Sequence, residues 1–246
     1  MEIKVPLTFG SLFAGIGGMD LGLEWSGMEC RWQVEINEYC QRVLAKHWPN
    51  VKRYGDIRQV FSFDLEYVDV IAGGFPCKNT SNAAAIHGKR SGLSGPESGL
   101  WAEQYRIIVA NRPEWAIVEN PLGVDTWAET ITADFQRVGY AVSRVPISGR
   151  GVGAPHLRRR LFFVANRDGK RLAQSGPLGS SPAESGERGA TERDAWLSSL
   201  ARVLRVDDGV PGGLHRRERI QCVGNAVMPQ MAELIGREIR RVACQV

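Results

Sequence analysis

With 246 residues, 43 % of them apolar and 24 % charged, the chain has the make-up of one large globular domain, or of one domain with a small appendage. It does not read as a disordered or fibrous protein. It carries no run of about 18 apolar residues, and its Met1-Glu-Ile-Lys start has no signal-peptide core, so a soluble, cytoplasmic protein without a membrane partner is expected.

A net charge of +4 says little alone, but positive residues crowd at Arg144, Arg150, Arg158 to Arg160, Arg167, Lys170 and Arg171, and again at Arg216, Arg217 and Arg219. That clustering suits a polyanionic partner and an ordinary solvated face about equally. Five cysteines, at positions 30, 40, 77, 222 and 244, form no Cys-x-x-Cys pair and stand among four scattered histidines. Neither a zinc site nor a disulfide framework fits them; free thiols in a reducing compartment and no bound metal are expected.

In chain order, Thr8 to Leu12 reads as a short strand, then a glycine turn, Phe13-Ala14-Gly15-Ile16-Gly17-Gly18, and a helix over 19–25. A strand over 31–34, a helix over 38–46 and a third strand region before Asp56 follow. Val68 to Ala72 reads as a buried strand, 99–110 as a helix, 115–118 as another buried strand and 125–137 as a helix, with strands around 140–145 and 161–164. Strands alternating with helices imply βαβ units, and right-handed crossovers make this an α/β fold with a doubly wound, mostly parallel sheet. From Asn166 to about Asp194 Gly, Ser, Pro, Glu and Arg dominate, giving a loop-rich insert, with order returning around 196–206. After Pro229, residues Met231, Leu234, Ile235, Ile239 and Val242 share one helical face that should pack back on the sheet.

The glycine turn between strand and helix lets a ligand approach backbone closely, although a purely structural tight turn explains it as well. A dinucleotide fingerprint would need a third glycine where Asp20 stands, which disfavours a pyrophosphate. Glu35, with Ile36, ends the second strand where an acid commonly accepts from a ribose diol. Asp56 and Ile57 could bracket an adenine. A nucleoside without phosphates fits, and S-adenosylmethionine is such a ligand. Further on, two glycines lead through Phe75 and Pro76 to Cys77, a thiol placed just past a buried strand and poised for attack rather than for packing.

Six fragments, Phe13-Ala-Gly-Ile-Gly-Gly18, Gly73-Gly-Phe-Pro-Cys77, Ser98-Gly-Leu-Trp101, Val118-Glu-Asn120, Gly153-Ala-Pro-His-Leu-Arg-Arg-Arg160 and Gly224-Asn-Ala-Val227, occur in the order found in DNA (cytosine-5)-methyltransferases. The chain resembles that family over residues 8 to 166 and 203 to about 240. The resemblance implies a Rossmann-like methyltransferase fold. Its divisions would be a catalytic and cofactor-binding domain (1–166), a small target-recognition region (167–220) and a C-terminal segment with its helix (221–246).

It also implies roles. Cys77 would add to carbon 6 of a flipped-out cytosine, making carbon 5 nucleophilic toward the methyl of S-adenosylmethionine. Glu119 would hold or supply the proton at N3 from a dry pocket, while Arg158 and Arg160 orient base and carboxylate. Phe13 to Gly18, Glu35, Ile36, Asp56, Ile57, Pro76, Asn225 and Ala226 would line the cofactor. Lys78, Ser81, Lys89, Arg90, Arg159, Arg167, Lys170 and Arg171 would meet double-stranded DNA. The implied enzyme is a monomer of bacterial or phage origin, with a cognate restriction enzyme as a possible partner.

The chain departs from the family pattern at several points. Lys78 replaces the usual glutamine after the cysteine, and Asn79-Thr80 precede Ser81. The loop between Ser81 and Gly88 is about four residues longer than usual, His156 replaces a glutamine, and Pro121 a valine. Rival readings are the same chemistry on RNA, a catalytically silent nucleic-acid-binding relative, and a nicotinamide enzyme on the same sheet.

Overall fold

The computed structural model describes residues 5–76, 99–122, 125–170, 172 and 226–244. Its elements are β1 (Thr8–Leu12), α1 (Gly18–Trp25), β2 (Glu29–Val34), α2 (Glu38–His47), β3 (Lys52–Tyr54), β4 (Val70–Gly73), α3 (Leu100–Asn111), β5 (Trp115–Pro121), α4 (Asp125–Arg137), β6 (Ala141–Ile147), β7 (Arg160–Asn166) and α5 (Pro229–Ala243). The seven strands form one sheet in the order β3-β2-β1-β4-β5-β7-β6. β3, β2, β1, β4 and β5 are mutually parallel. β7 runs antiparallel to both β5 and β6, so it alone is reversed. The expected mostly parallel, doubly wound sheet is what the chain forms.

Alternate residues of the central strands enter two cores, because successive side chains of a strand point to opposite faces. Ile71, Ala116, Val118, Leu161 and Phe163 pack with Trp101, Ile107 and Ile108 of α3 and Ile131 and Phe135 of α4. Phe9, Val70, Ala72, Ile117 and Phe162 pack with Met19 and Leu23 of α1, Leu44 of α2 and Met231, Ala232, Ile235 and Ile239 of α5. Both faces are therefore buried, which is why the central strands are near-continuous apolar runs.

α2 starts where Asn37 Oδ1 accepts from the backbone N–H groups of Tyr39 and Cys40, a side-chain cap that offsets unpaired donors at a helix start. α5 begins with Pro229 at its first turn, as a proline with no N–H to lose allows, and lies against α1.

Strand order reverses between β1 and β4. The crevice outside the carboxyl ends of these two strands is where ligands bind in open α/β sheets. Leu12 and Gly73 are register partners there, so the turn after β1 and the segment Gly74–Pro76 after β4 emerge side by side. Val118 pairs with Gly73, bringing Glu119 and Asn120 to the same edge. The expected catalytic and binding residues Cys77, Lys78, Ser81, Lys89, Arg90, Arg171 and Asn225 lie outside the described residues, as do the ordered stretch expected around 196–206 and nearly all of 167–220.

Candidate active site

The turn from Phe13 to Gly18 is built from left-handed backbone. Phe13 (φ 54°), Gly15 (φ 58°) and Gly17 (φ 82°) all have positive φ, which a phenylalanine adopts only when its surroundings impose it. Two hydrogen bonds from the end of β2 impose the shape: Ala14 N donates to the Val34 carbonyl at 3.1 Å, and Gly15 N donates to Glu35 Oε2 at 2.7 Å. Glu35 Oε1 accepts from Asn37 N at 2.7 Å, so one carboxylate fastens both the turn and the start of α2.

A side chain added at Gly15 would meet nothing within 4 Å, whereas one at Gly18 would lie 2.2 Å from the Val227 carbonyl. The turn thus presents open space at Gly15 and is sealed at Gly18 by the segment carrying Ala226. That open cradle fits a nucleoside cofactor. Glu35 retains lone pairs for a ribose diol, since an ionised carboxylate accepts about four hydrogen bonds. Ile36 beside it is 62 % exposed, an apolar surface available to a flat base.

Asp56 is placed differently from expectation. Its carboxylate caps the short turn Ile57–Gln59 and pairs with the Arg58 guanidinium through both oxygens, so an adenine amino group would share it with a cation. The Ile57 side chain is buried in the core rather than facing the crevice.

At the other end of the crevice, Phe75 is buried and packs edge-on against Trp127 and obliquely against Trp101. These contacts anchor the Gly74–Pro76 segment between α3 and α4. Asn120 Nδ2 donates to the Phe75 carbonyl at 3.1 Å. A side chain at Gly74 would lie 2.6 Å from Glu119 Oε2, so glycine is what lets this segment lie against the carboxylate. Pro76 ends the described segment, and Cys77 is the next residue.

Glu119 is only 6 % exposed. Its Oε1 lies 2.6 Å from Arg160 Nε. That ion-pair contact is not an aligned hydrogen bond, and Oε1 receives none. Burial therefore wins over the guanidinium charges: the carboxyl is pushed up to about 7, against a lowering pull from Arg160 and a weaker one from Arg158. Arg158, itself at positive φ, donates through Nη2 to the Ala226 carbonyl; burial lowers its pKa. This arginine ties the loop before β7 to the segment that seals the glycine turn. Arg159 is exposed at the same edge.

Arg167 and Lys170 are not brought to this edge. β7 runs from Arg160 beside Pro121 to Asn166 beside Trp115, which at about 3.3 Å per residue sets its ends roughly 20 Å apart. Arg167 donates to the Arg112 carbonyl and to Asp168, and Lys170 pairs with Glu114. Among the expected DNA contacts that are described, Arg159 alone stands by Glu119.

One charged residue near the site was legible in sequence only as a missing glycine. Asp20, in the first turn of α1, is fully buried. Ser11 Oγ donates to its Oδ2 at 3.0 Å and Gln33 Nε2 to its Oδ1 at 2.8 Å. Desolvation raises its pKa from the ordinary 3.8 to about 6, with these hydrogen bonds pulling the other way.

A carboxyl with a raised folded-state pKa contributes stability that is fully present below pH 3.8 and lost as pH rises through about 6. Asp20→Asn keeps the shape and removes that loss. Its advantage in unfolding free energy over wild type should grow between pH 4 and pH 7 by up to about 3 kcal/mol, measured by denaturant titration. An equal difference at both pH values would show that Asp20 does not titrate in this window.

Comparison with known proteins agrees with this geometry. The family model for C-5 cytosine-specific DNA methylases matches residues 7–195. Type II methyltransferase M2.BsuMI of Bacillus subtilis is 33 % identical over 165 residues, covering 63 % of this chain and 41 % of that protein. Type II methylase M.HgiEI of Herpetosiphon aurantiacus is 35 % identical over 164 residues, covering 63 % and 36 %. The matches thus span less than half of these relatives' length. Among solved structures, Entamoeba histolytica methyltransferase EhMeth superposes with a TM-score of 0.73 at 13 % identity, over 97 % of this chain and 99 % of that one, a likeness of fold. With more than half of its length matched by the family model, this chain belongs to the C-5 cytosine-specific DNA methylase family.

Proposed function

We propose that the protein methylates carbon 5 of cytosine in duplex DNA, with S-adenosylmethionine as the methyl donor. The observation that carries the proposal is the joining of Glu119, a buried carboxyl poised near neutrality, to the backbone that leads into Cys77. Phe13 to Gly18, Glu35, Ile36, Pro76, Asn225 and Ala226 would hold the cofactor, which supplies an electrophilic methyl when bound.

The chain's own residues do the rest. The Cys77 thiolate adds to carbon 6 of a base extruded from the helix, and the displaced electron pair is drawn toward N3. Glu119 in its acid form meets that charge with a proton, and it carries the proton because burial favours the neutral state. Arg160, held 2.6 Å from Glu119, keeps the carboxyl oriented and offers N–H donors to the base. After carbon 5 is methylated, its proton passes to water as the ring double bond re-forms and expels the Cys77 thiolate, and N3 returns its proton to Glu119.

Incubation with tritium-labelled S-adenosylmethionine should label duplex DNA and leave transfer RNA unlabelled. Duplexes carrying 5-fluorocytosine should trap a covalent adduct on the peptide containing Cys77. Label in RNA alone would shift the reading to the same chemistry on RNA. Cofactor and DNA binding with no adduct would leave a silent binding relative.

DNA affinity should fall steeply with salt. With Arg159 as the proposed phosphate contact at this edge, Arg159→Ala should shallow the slope of log affinity against log salt by about one counterion. An unchanged slope in a filter-binding titration would remove Arg159 from the interface. The names of the relatives also suggest a role as the modification partner of a restriction enzyme, testable by protection of host DNA from cleavage.

A further inference from the structure

The mechanism above makes no use of Asp20, yet it is a fully buried carboxyl in the first turn of the helix that follows the glycine turn. Its two oxygens reach the two strands from which the cradle is built. Oδ2 is held by Ser11, which immediately precedes Leu12 at the end of β1, and Oδ1 by Gln33, two residues before Glu35. Those strand ends are the ones that carry Phe13 and the Gly15–Glu35 bond. The carboxyl is thereby fixed under the cradle.

Both donors are neutral, and among the described residues no arginine or lysine pairs with it. Gln33 Oε1, an acceptor, is itself left without a partner. Among the described titratable neighbours no cation pairs with it, although Arg53 on β3 pulls on the adjacent Cys30. Glu24 on α1 repels Asp20. Cys30 on β2 keeps its thiol protonated, raised by burial and by the charges of Asp20 and Glu24. α5, packed across α1, contributes the apolar Met231, Ala232 and Ile235. An ionised Asp20 is a buried negative charge without a counter-ion among the described residues, and such charges are costly unless something positive compensates them.

We propose that Asp20 is a specificity-determining residue of the cofactor site, a fixed carboxylate beneath the glycine turn that favours the cationic methyl donor over its uncharged demethylated product. The inference rests on the reading of the turn as the S-adenosylmethionine site. The donor is a sulfonium and the product a neutral thioether, while their adenosine and amino-acid parts are the same. Contacts to the shared parts cannot tell the two apart; a charge acting through protein of low dielectric can. Discrimination of this kind favours release of the spent product after each turnover.

Isothermal titration of S-adenosylmethionine and S-adenosylhomocysteine into wild type and Asp20→Asn, from pH 5 to pH 8, tests this without recourse to activity. In wild type the preference for the sulfonium should increase by about tenfold across this range, the scale of a coupling between two charges separated by protein. Donor binding near pH 6 should release protons, seen as a dependence of the heat on buffer ionisation enthalpy; product binding should not. In Asp20→Asn, folded by its thermal transition, the ratio should stay at its low-pH value.

A flat ratio in wild type overturns the proposal. So does a pH dependence that survives in Asp20→Asn, which would belong to Glu24 or Glu119, or an equal loss of both ligands at every pH, which marks a purely structural brace. If wild type binds neither ligand, the cofactor reading of the turn fails first, and this inference with it.

Discussion

Glu119→Gln should slow single-turnover methyl transfer by about a hundredfold to ten-thousandfold, the usual weight of a positioned general acid, while affinity for S-adenosylmethionine stays within about threefold. The side chains have the same shape, but a glutamine amide cannot give up a proton to N3 of a cytosine under attack at carbon 6. The wild-type carboxyl is pushed up to about 7 by burial, so its acid form is well populated at neutral pH and disappears above it. The wild-type rate should accordingly fall as pH rises past 7, and the variant should lack that limb.

Stability moves the opposite way. With the folded pKa raised from 4.5 to about 7, the contribution of Glu119 to stability is complete below pH 4.5 and is lost as pH rises through 7. Glutamine removes that loss, at the cost of leaving Arg160 without its anionic partner. A variant that is folded, binds cofactor and has lost both rate and the alkaline limb isolates the proton step. An unchanged rate would remove Glu119 from the chemistry.

Much of this arrangement is legible in the sequence because the central strands are buried on both faces. Val70 to Ala72 and Trp115 to Val118 are apolar at every position, so they announce themselves as inner parallel strands, and Gly73-Gly74 after the first marks where the chain turns into the crevice. The periodic apolar face of α5 is equally plain. What is not legible is anything set by register. Arg158 to Arg160 and Arg167 to Lys170 look like one basic tract in the chain, yet a strand separates them, and six residues of extended backbone carry them to opposite ends of the sheet. The reversal of β7 likewise leaves no mark in its own composition.

Asp20 was hidden for a related reason. A lone acid at the start of an amphipathic helix reads as a surface residue or a helix-dipole partner. Only the packing of α1 over β1 and β2 shows that Ser11 and Gln33 meet it in the interior. The commitment of Asp56 to Arg58, two residues away, is a local event that sequence spacing permits without requiring.

Gly74→Ala should be nearly as damaging as loss of the acid itself, by a different route. The backbone at Gly74 is not in the left-handed region, so alanine suffers no conformational penalty there; the obstacle is contact. Its Cβ would stand 2.6 Å from Glu119 Oε2 and 3.2 Å from the Glu119 carbonyl, and the carbonyl belongs to β5, where Glu119 pairs with Phe162 of β7. The sheet cannot yield, so one of two things must give. Either the Glu119 side chain swings away and loses its contact with Arg160, or the segment to Pro76 lifts from β5 and breaks the bond from Asn120 to the Phe75 carbonyl. Both outcomes part the carboxyl from the backbone that leads into Cys77.

The expected result is at least about a hundredfold loss of methyl-transfer rate, on the scale of a misplacement of about 1 Å at a reacting centre. It should come with a destabilisation of about 1–3 kcal/mol from overpacking; cofactor affinity should hold where the Glu119 side chain swings away and fall where the segment carrying Pro76 lifts. Gly55→Ala is the control: a Cβ there meets only the end of Gln41 at 4.0 Å, and it should leave rate and stability near wild type. Equal rates for the two variants would mean that the close approach of Gly74 to Glu119 is incidental to catalysis, and that the carboxyl works from a position this segment does not set.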